Sequence, residues 1–198
     1  MLRTAYYKKE LILVHISENI KNTNLICKIC STSVIPKKGH IKIHHFAHKR
    51  KSLCDNWLTN KMTKWHQSWQ NICKIDNIEV IIKKNNQKHI ADIYNNNLVI
   101  EIQHSNISLN DIVDRENFYG NMIWIIDLKN KWDEESGKLI GKERGDIYIQ
   151  FKDNFIIFNS NYKFFKYMSK PVYLDTDYGI LKLIYSFDYG YYLCQKID

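Results

Sequence analysis

The chain has 198 residues, 44% of them hydrophobic, with 29 Lys and Arg against 21 Asp and Glu and a formal net charge of +8. That length fits one domain with at most a small appendage, and the apolar share is enough for a sizeable core. No stretch approaches the roughly 18 apolar residues of a membrane span, so no membrane partner is expected, and the basic excess points to a polyanion, nucleic acid first.

The opening stretch, "MLRTAYYKKELILVHIS", holds an apolar run too short for a secretory leader. The five cysteines are an odd number, which suits a reducing compartment better than a disulfide framework. An intracellular chain is expected, in the cytoplasm or, for a viral protein, the host-cell cytoplasm. Residues 1–54 read as a small β module, with strand-like "LILVHI" and "HIKIHHFAH" around "CKIC". Cys27-x-x-Cys30 is followed by His44, His45, His48 and Cys54. Two thiolates from a knuckle with a later His and Cys match a closed structural zinc site. Cys27, Cys30, His48 and Cys54 are the favoured ligands, with His45 as the substitute; reduced cysteines without metal are the alternative. The tract "HKRKS" (48–52) can contact phosphate or stand as a solvated loop.

Residues 55–74 read as a helix. Asp55 or Asn56 can cap it, and Leu58, Met62, Trp65, Trp69 and Ile72 share one face, read as core. Strands follow at 78–84, 89–95 and 98–105. Alternation turns His89 away from the face of Asp92, which gives it a structural role. "SLNDIVDRENFYG" reads as a second helix, capped by Ser108 with Asp111 at the capping-box position and closed by Gly120. "MIWIIDL" (122–128) is continuously apolar, as in a parallel strand buried on both faces, and strand, helix and strand make a βαβ crossover. From 55 to 128 the order is α-β-β-β-α-β. Residues 131–198 begin with a charged, turn-rich linker and continue as short aromatic-rich strands. Cys73 and Cys194 read as core.

The second and third strands read as a hairpin, because Asn tolerates the positive φ of tight turns. With Asn96 and Asn97 as the loop, Asp92 falls opposite Glu101, and Gln103 shares their side. Like charges directly opposed destabilise a strand pair, and a divalent cation can neutralise them. Two solvated acids on an open sheet face are the alternative.

Asp, eight residues, then Glu-x-Gln across a hairpin resembles the catalytic motif of the PD-(D/E)xK nuclease superfamily, whose core follows the same α-β-β-β-α-β order. "WHQSW", "HIADI", "VIEIQHSNIS", "RENFYGNMIWIID" and the upstream "CKIC … HHFAH" together look like the competence protein CoiA-like family of nucleases, over roughly residues 25–130. The resemblance implies an α/β fold: a restriction-endonuclease-like core at 55–130, an N-terminal zinc-knuckle-like module at 1–54 and a β-rich C-terminal region at 131–198. It implies Mg²⁺- or Mn²⁺-dependent hydrolysis of phosphodiester bonds in DNA, in the setting of DNA recombination, with Asp92 and Glu101 holding the metal. Gln103 stands where the superfamily has Lys; it can orient water or a phosphate oxygen but carries no charge.

Arg115 and Tyr119, four apart on one helix face, could reach the phosphate; an exposed Arg and a core Tyr are the alternative. His66, in the "WH" of the first helix, could reach the phosphate or a metal-bound water, or stand as a capping or surface His. Lys64 and Gln70 depart from the family pattern of an acid and a Lys, so a second metal does not follow. A homodimer is compatible with the superfamily. A non-catalytic nucleic-acid-binding zinc module and a structural or interaction protein remain open from the sequence.

Overall fold

The computed structural model describes residues 2–20, 24–50, 54, 55, 57, 62–129, 132, 133, 138, 139, 150–152, 155–159, 163–177, 179–186 and 191–197. The chain forms two compact units, Met1–Asn97 and Leu98–Asp198.

In the first unit β1 (Thr4–Tyr7) lies between β2 (Leu13–His15) and β3 (Leu25–Ile26), antiparallel to both. A hairpin follows, β4 (Val34–Lys37) with β5 (His45–His48), in register from Val34↔His48 to Lys37↔His45. Then come α1 (Lys64–Asn71), a short 3-10 turn and the antiparallel pair β6 (Ile78–Lys84) and β7 (Gln87–Asn95). Asn85 and Asn86 make the turn between β6 and β7 with φ of +49° and +61°, the double positive angle that a two-residue hairpin loop needs.

These strands are too short to form a core alone. Leu2, Ala5, Val14, Leu25, Val34 and Phe46 gather into one apolar cluster, and Ile90 of β7 joins it. A carboxylate completes the junction. Glu79 is 2% exposed, holds a φ of +48°, and accepts hydrogen bonds from Arg3 N (2.6 Å), Thr4 N (2.9 Å) and Thr4 Oγ1 (2.7 Å). A left-handed residue interrupts the in-out alternation of a strand, and three donors offset the penalty of burying the charge.

The first helix is shorter than its apolar spacing suggests. It starts after Thr63, whose Oγ1 accepts from His66 N at 3.1 Å, and not at Asp55 or Asn56. Asp55 is committed elsewhere: its carboxylate accepts from Trp57 N, Ile90 N and the His89 ring, each at 3.0 Å. His89 also stacks on Trp57, ring centroids 3.5 Å apart, which is a structural role. The expected core face fails at its end, because Ile72 is the C-cap and 77% exposed while Gln70 is 1% exposed. Leu58 lies outside the described residues.

The second unit begins with β8 (Leu98–Gln103), α2 (Leu109–Tyr119) and β9 (Met122–Asp127), with β8 and β9 parallel from Val99↔Met122 to Gln103↔Ile126. On the other side of β9 lies β14 (Val172–Thr176), also parallel. Two parallel neighbours explain why β9 is apolar from Met122 to Ile126: Trp124 is fully buried, and Ile125 and Ile126 are nearly so. The sheet continues antiparallel through β15 (Gly179–Ser186), β16 (Tyr191–Ile197), β13 (Phe155–Asn159) and β12 (Gln150–Lys152), and Cys194 of β16 is buried as expected.

Both ends of α2 follow the sequence. Ser108 Oγ accepts from Asp111 N at 3.1 Å, and Gly120 exits at φ +72°. The stretch expected as linker holds a small ribbon, β10 (Trp132–Asp133) with β11 (Lys138–Leu139); residues 140–149 of that stretch lie outside the described residues. The architecture is α/β with a large sheet. Among the described residues no helix is long and apolar enough to cross a membrane.

Candidate functional site

The turn after β3 carries Cys27 and Cys30, and β5 ends at His48. With Cys54 these residues place one ligand atom each within 4.8 Å of one another. Cys27 Sγ stands 3.3 Å from Cys54 Sγ, and Cys30 Sγ stands 3.3 Å from His48 Nε2. Tetrahedral zinc, with bonds of about 2.0–2.3 Å, spaces its donors by roughly 3.3–3.8 Å. Three thiols and an imidazole at these separations fit zinc. His45 lies outside the group; its Nδ1 is 2.7 Å from Ile43 O. The described cysteines form no disulfide.

The thiols are unequal. Burial and the neighbouring Cys27 thiol hold Cys54 well above the usual range, and burial also raises Cys27. Burial pushes Cys30 the same way, but hydrogen bonds from Thr32, Cys54 and His48 outweigh it and bring Cys30 down to about 6. Without a cation the cluster holds one thiolate readily and resists further ones. A divalent ion removes that limit, since it deprotonates coordinating thiols.

Within the first unit, α1 and β7 position Asp92. Gln70 Nε2 donates to Asp92 O at 3.2 Å, and His66 Nε2 lies 3.3 Å from Asp92 Oδ1. His66 and Gln70 are one helical turn apart, so they share the face turned to β7. Gln70 is itself fixed, with Arg3 Nη1 donating to its Oε1 at 3.4 Å. Asn96 and Asn97, which follow β7, hold φ of +47° and +62°, as the Asn-rich sequence there suggests.

Within the second unit, β8 carries Glu101 and Gln103, both 2% exposed. Arg115 of α2, 8% exposed, donates from Nη1 to Glu101 Oε2 at 2.5 Å. Arg115 is thus buried and paired with a carboxylate, where an exposed Arg or a phosphate ligand was considered. The pair fixes the orientation of the Glu101 carboxylate. Gln103 Nε2 donates to Ser105 O at 2.6 Å, which anchors one end of the amide. Tyr119 sits one turn beyond Arg115, with its ring edge-on to Phe118 at 5.2 Å.

Other polar sites were not foreseen. Glu116 accepts from Trp124 Nε1 (2.9 Å), Ser169 Oγ (2.5 Å) and Ser169 N, tying α2 to β9 and to the approach to β14. Asp127, the last residue of β9, stands in register with Asp175, the penultimate residue of β14. His104 Nδ1 pairs with Asp127, while Lys129 Nζ lies 3.2 Å from Asp175. The Lys129 ammonium and the His104 ring each give one of these buried carboxylates a partner. The available signal was an acid at the end of each apolar run, "MIWIID" and "PVYLD".

Two family models match the sequence. "Competence protein CoiA, N-terminal domain" matches residues 10–57, and "Domain of unknown function (DUF6035)" matches residues 40–180. No curated protein and no solved structure matches the chain.

Proposed function

The chain belongs to the DUF6035 family, and we propose that it is a metal-dependent nuclease of the PD-(D/E)xK type that hydrolyses phosphodiester bonds in DNA. The observation that carries this reading is the separate positioning of the two acids. Asp92 has His66 beside one carboxylate oxygen and Gln70 on its backbone, and Glu101 is held by Arg115. The order α1, β6, β7, β8, α2, β9 is that of the superfamily core and supports the reading. So does the count of residues about the Asn96–Asn97 turn, which sets Asp92 opposite Glu101 in the sequence. The match to a competence-protein domain agrees with DNA as the substrate.

Asp92 and Glu101 would hold Mg²⁺ or Mn²⁺, which when bound polarises a phosphodiester and lowers the pKa of water. The chain's own residues do the rest. Arg115 fixes the orientation of the Glu101 carboxylate. His66 stands where it can accept or pass a proton at Nε2 next to Asp92. Gln103, with its amide nitrogen on Ser105, can orient a water or phosphate oxygen through its carbonyl. Tyr119, on the same helical face as Arg115, can donate to a phosphate oxygen. The Cys27, Cys30, His48 and Cys54 group would hold zinc in a structural role.

The second reading is a non-catalytic nucleic-acid-binding protein. It draws on the Arg115–Glu101 pair, which already neutralises one of the two acids. A cleavage panel of single-stranded, duplex and junction DNA, with Mg²⁺, Mn²⁺ or neither, separates the readings. Cleavage that requires the added metal and is lost in Asp92→Ala and Glu101→Ala is expected. No metal-dependent cleavage of any substrate by the wild type, with binding intact, would leave the binding module in its place.

A further inference from the structure

Residues 19–54 contain eight Lys and Arg and no Asp or Glu, so the formal net charge of +8 resides in that stretch and the rest of the chain is balanced, 21 cations against 21 acids. The structure gathers part of this charge on one feature. The β4–β5 hairpin is rooted in the core of the first unit by Val34 and Phe46. Its far end, residues 37–42, is exposed throughout and carries Lys37, Lys38, His40 and Lys42. Lys38 Nζ donates to Glu18 O at 2.6 Å, which steadies one side of the loop.

Between these cations stands Ile41, 98% exposed. Folding gains nothing from an isoleucine in that position, since the apolar area it could bury stays in water. The loop curls round a cleft of about 550 Å³ lined by Pro36, Lys37, Lys38, Ile41, Lys42 and His45.

We propose that this hairpin grips nucleic acid, with Lys37 and Lys42 against backbone phosphates and Ile41 against the sugar or base edges between them. The inference rests on the nucleic-acid partner of the reading above but not on catalysis. A two-stranded ribbon fits the major groove of a duplex, where an apolar side chain can lie against base edges such as the thymine methyl while flanking cations meet the phosphates. A membrane surface is matched less well, because interfacial binding scales with buried apolar area and this tip offers one residue. The hairpin also ends at the metal cluster. His48 pairs with Val34 in register and stands beside Cys30, so zinc would fasten the hairpin to the module, and the grip should depend on zinc.

The test is equilibrium binding of the zinc-loaded full chain to labelled duplex and single-stranded DNA over a salt series, without Mg²⁺ or Mn²⁺. Lys37→Ala/Lys42→Ala should reduce the slope of log affinity against log salt by about 2 on a duplex, close to one per phosphate contact. Ile41→Ala should weaken binding about fivefold with the slope unchanged. Lys166→Ala/Lys196→Ala lowers the net charge equally in the second unit and should leave the slope near wild type.

Equal losses from the two lysine pairs would overturn the hairpin as the locus, and so would an unchanged slope in Lys37→Ala/Lys42→Ala. Loss of binding to phosphatidylserine vesicles with DNA affinity intact would reassign the surface to membranes. Failure of the nuclease reading shows differently, as binding that follows these expectations with no cleavage in any metal.

Discussion

In the first unit the strands outside the β6–β7 pair run two to four residues, and four metal-grade donors, Cys27, Cys30, His48 and Cys54, lie against their shared core. In the second unit β9 runs six residues, lies between two parallel neighbours and buries Trp124 completely. The acids of the parallel strands β8, β9 and β14 are answered by protein groups: Glu101 by Arg115, Asp127 by His104, Asp175 by Lys129. A small β module has too little apolar surface to hold itself firmly, and a metal can supply what the strands do not. A long buried strand can carry its polar burden with hydrogen bonds and ion pairs inside the chain. The two units should therefore respond differently to chelation and to loss of a side-chain partner.

The largest effect expected is from metal. A structural zinc contributes on the order of 10–16 kcal/mol to a small module near neutral pH. Chelation or Cys54→Ser should abolish hydrogen-exchange protection in β1, β4 and β5 while β9 and β14 keep theirs; equal loss in both units would erase the contrast.

Next is the buried pair. Arg115→Met removes the guanidinium that donates to the Glu101 carboxylate, which should lower stability by about 3–5 kcal/mol in urea unfolding. Adding Glu101→Leu should recover most of that, since the buried carboxylate is then gone.

The third expectation concerns pH. The Cys30 thiol is held at about 6, below its ordinary 9.0. A depressed acid stabilises the folded state above its ordinary pKa, and that contribution is lost as pH falls through the folded value. In the metal-free chain at pH 7 a thiol reagent should therefore label Cys30 much faster than Cys54; equal labelling of the two would erase the contrast between the thiols.

The smallest effect is at Ile72. It is 77% exposed, so Ile72→Ala should shift unfolding by less than about 0.5 kcal/mol. A loss of 2 kcal/mol or more would restore it to the core face that its spacing suggests.

The features read correctly from sequence depend on near neighbours. Ser108, Asp111 and Gly120 bound α2 because capping is settled within four residues, and Asn96 and Asn97 make their turn because few other residues accept two positive φ angles. "MIWII" lies in a buried strand because its run of apolar side chains leaves no polar face for water. The first helix misleads for the converse reason. Its apolar spacing continues past residue 71, but the helix stops there, and Asp55 is drawn away from capping by β7, 35 residues distant in sequence. The burial of Gln70 depends on Asp92 O and Arg3, one on a strand and the other near the start of the chain.

By itself, then, the sequence determined the local geometry, the order of elements and the residue types able to bind metal, because caps, turns and apolar runs act over a few residues. The sequence favoured His48 over His45 beside the three cysteines, and the structure brings those four together. The tertiary structure alone decided that Arg115 lies on Glu101 and that Ile41 projects into water among lysines. Each of these two depends on which neighbour another element supplies, and spacing along the chain does not encode that.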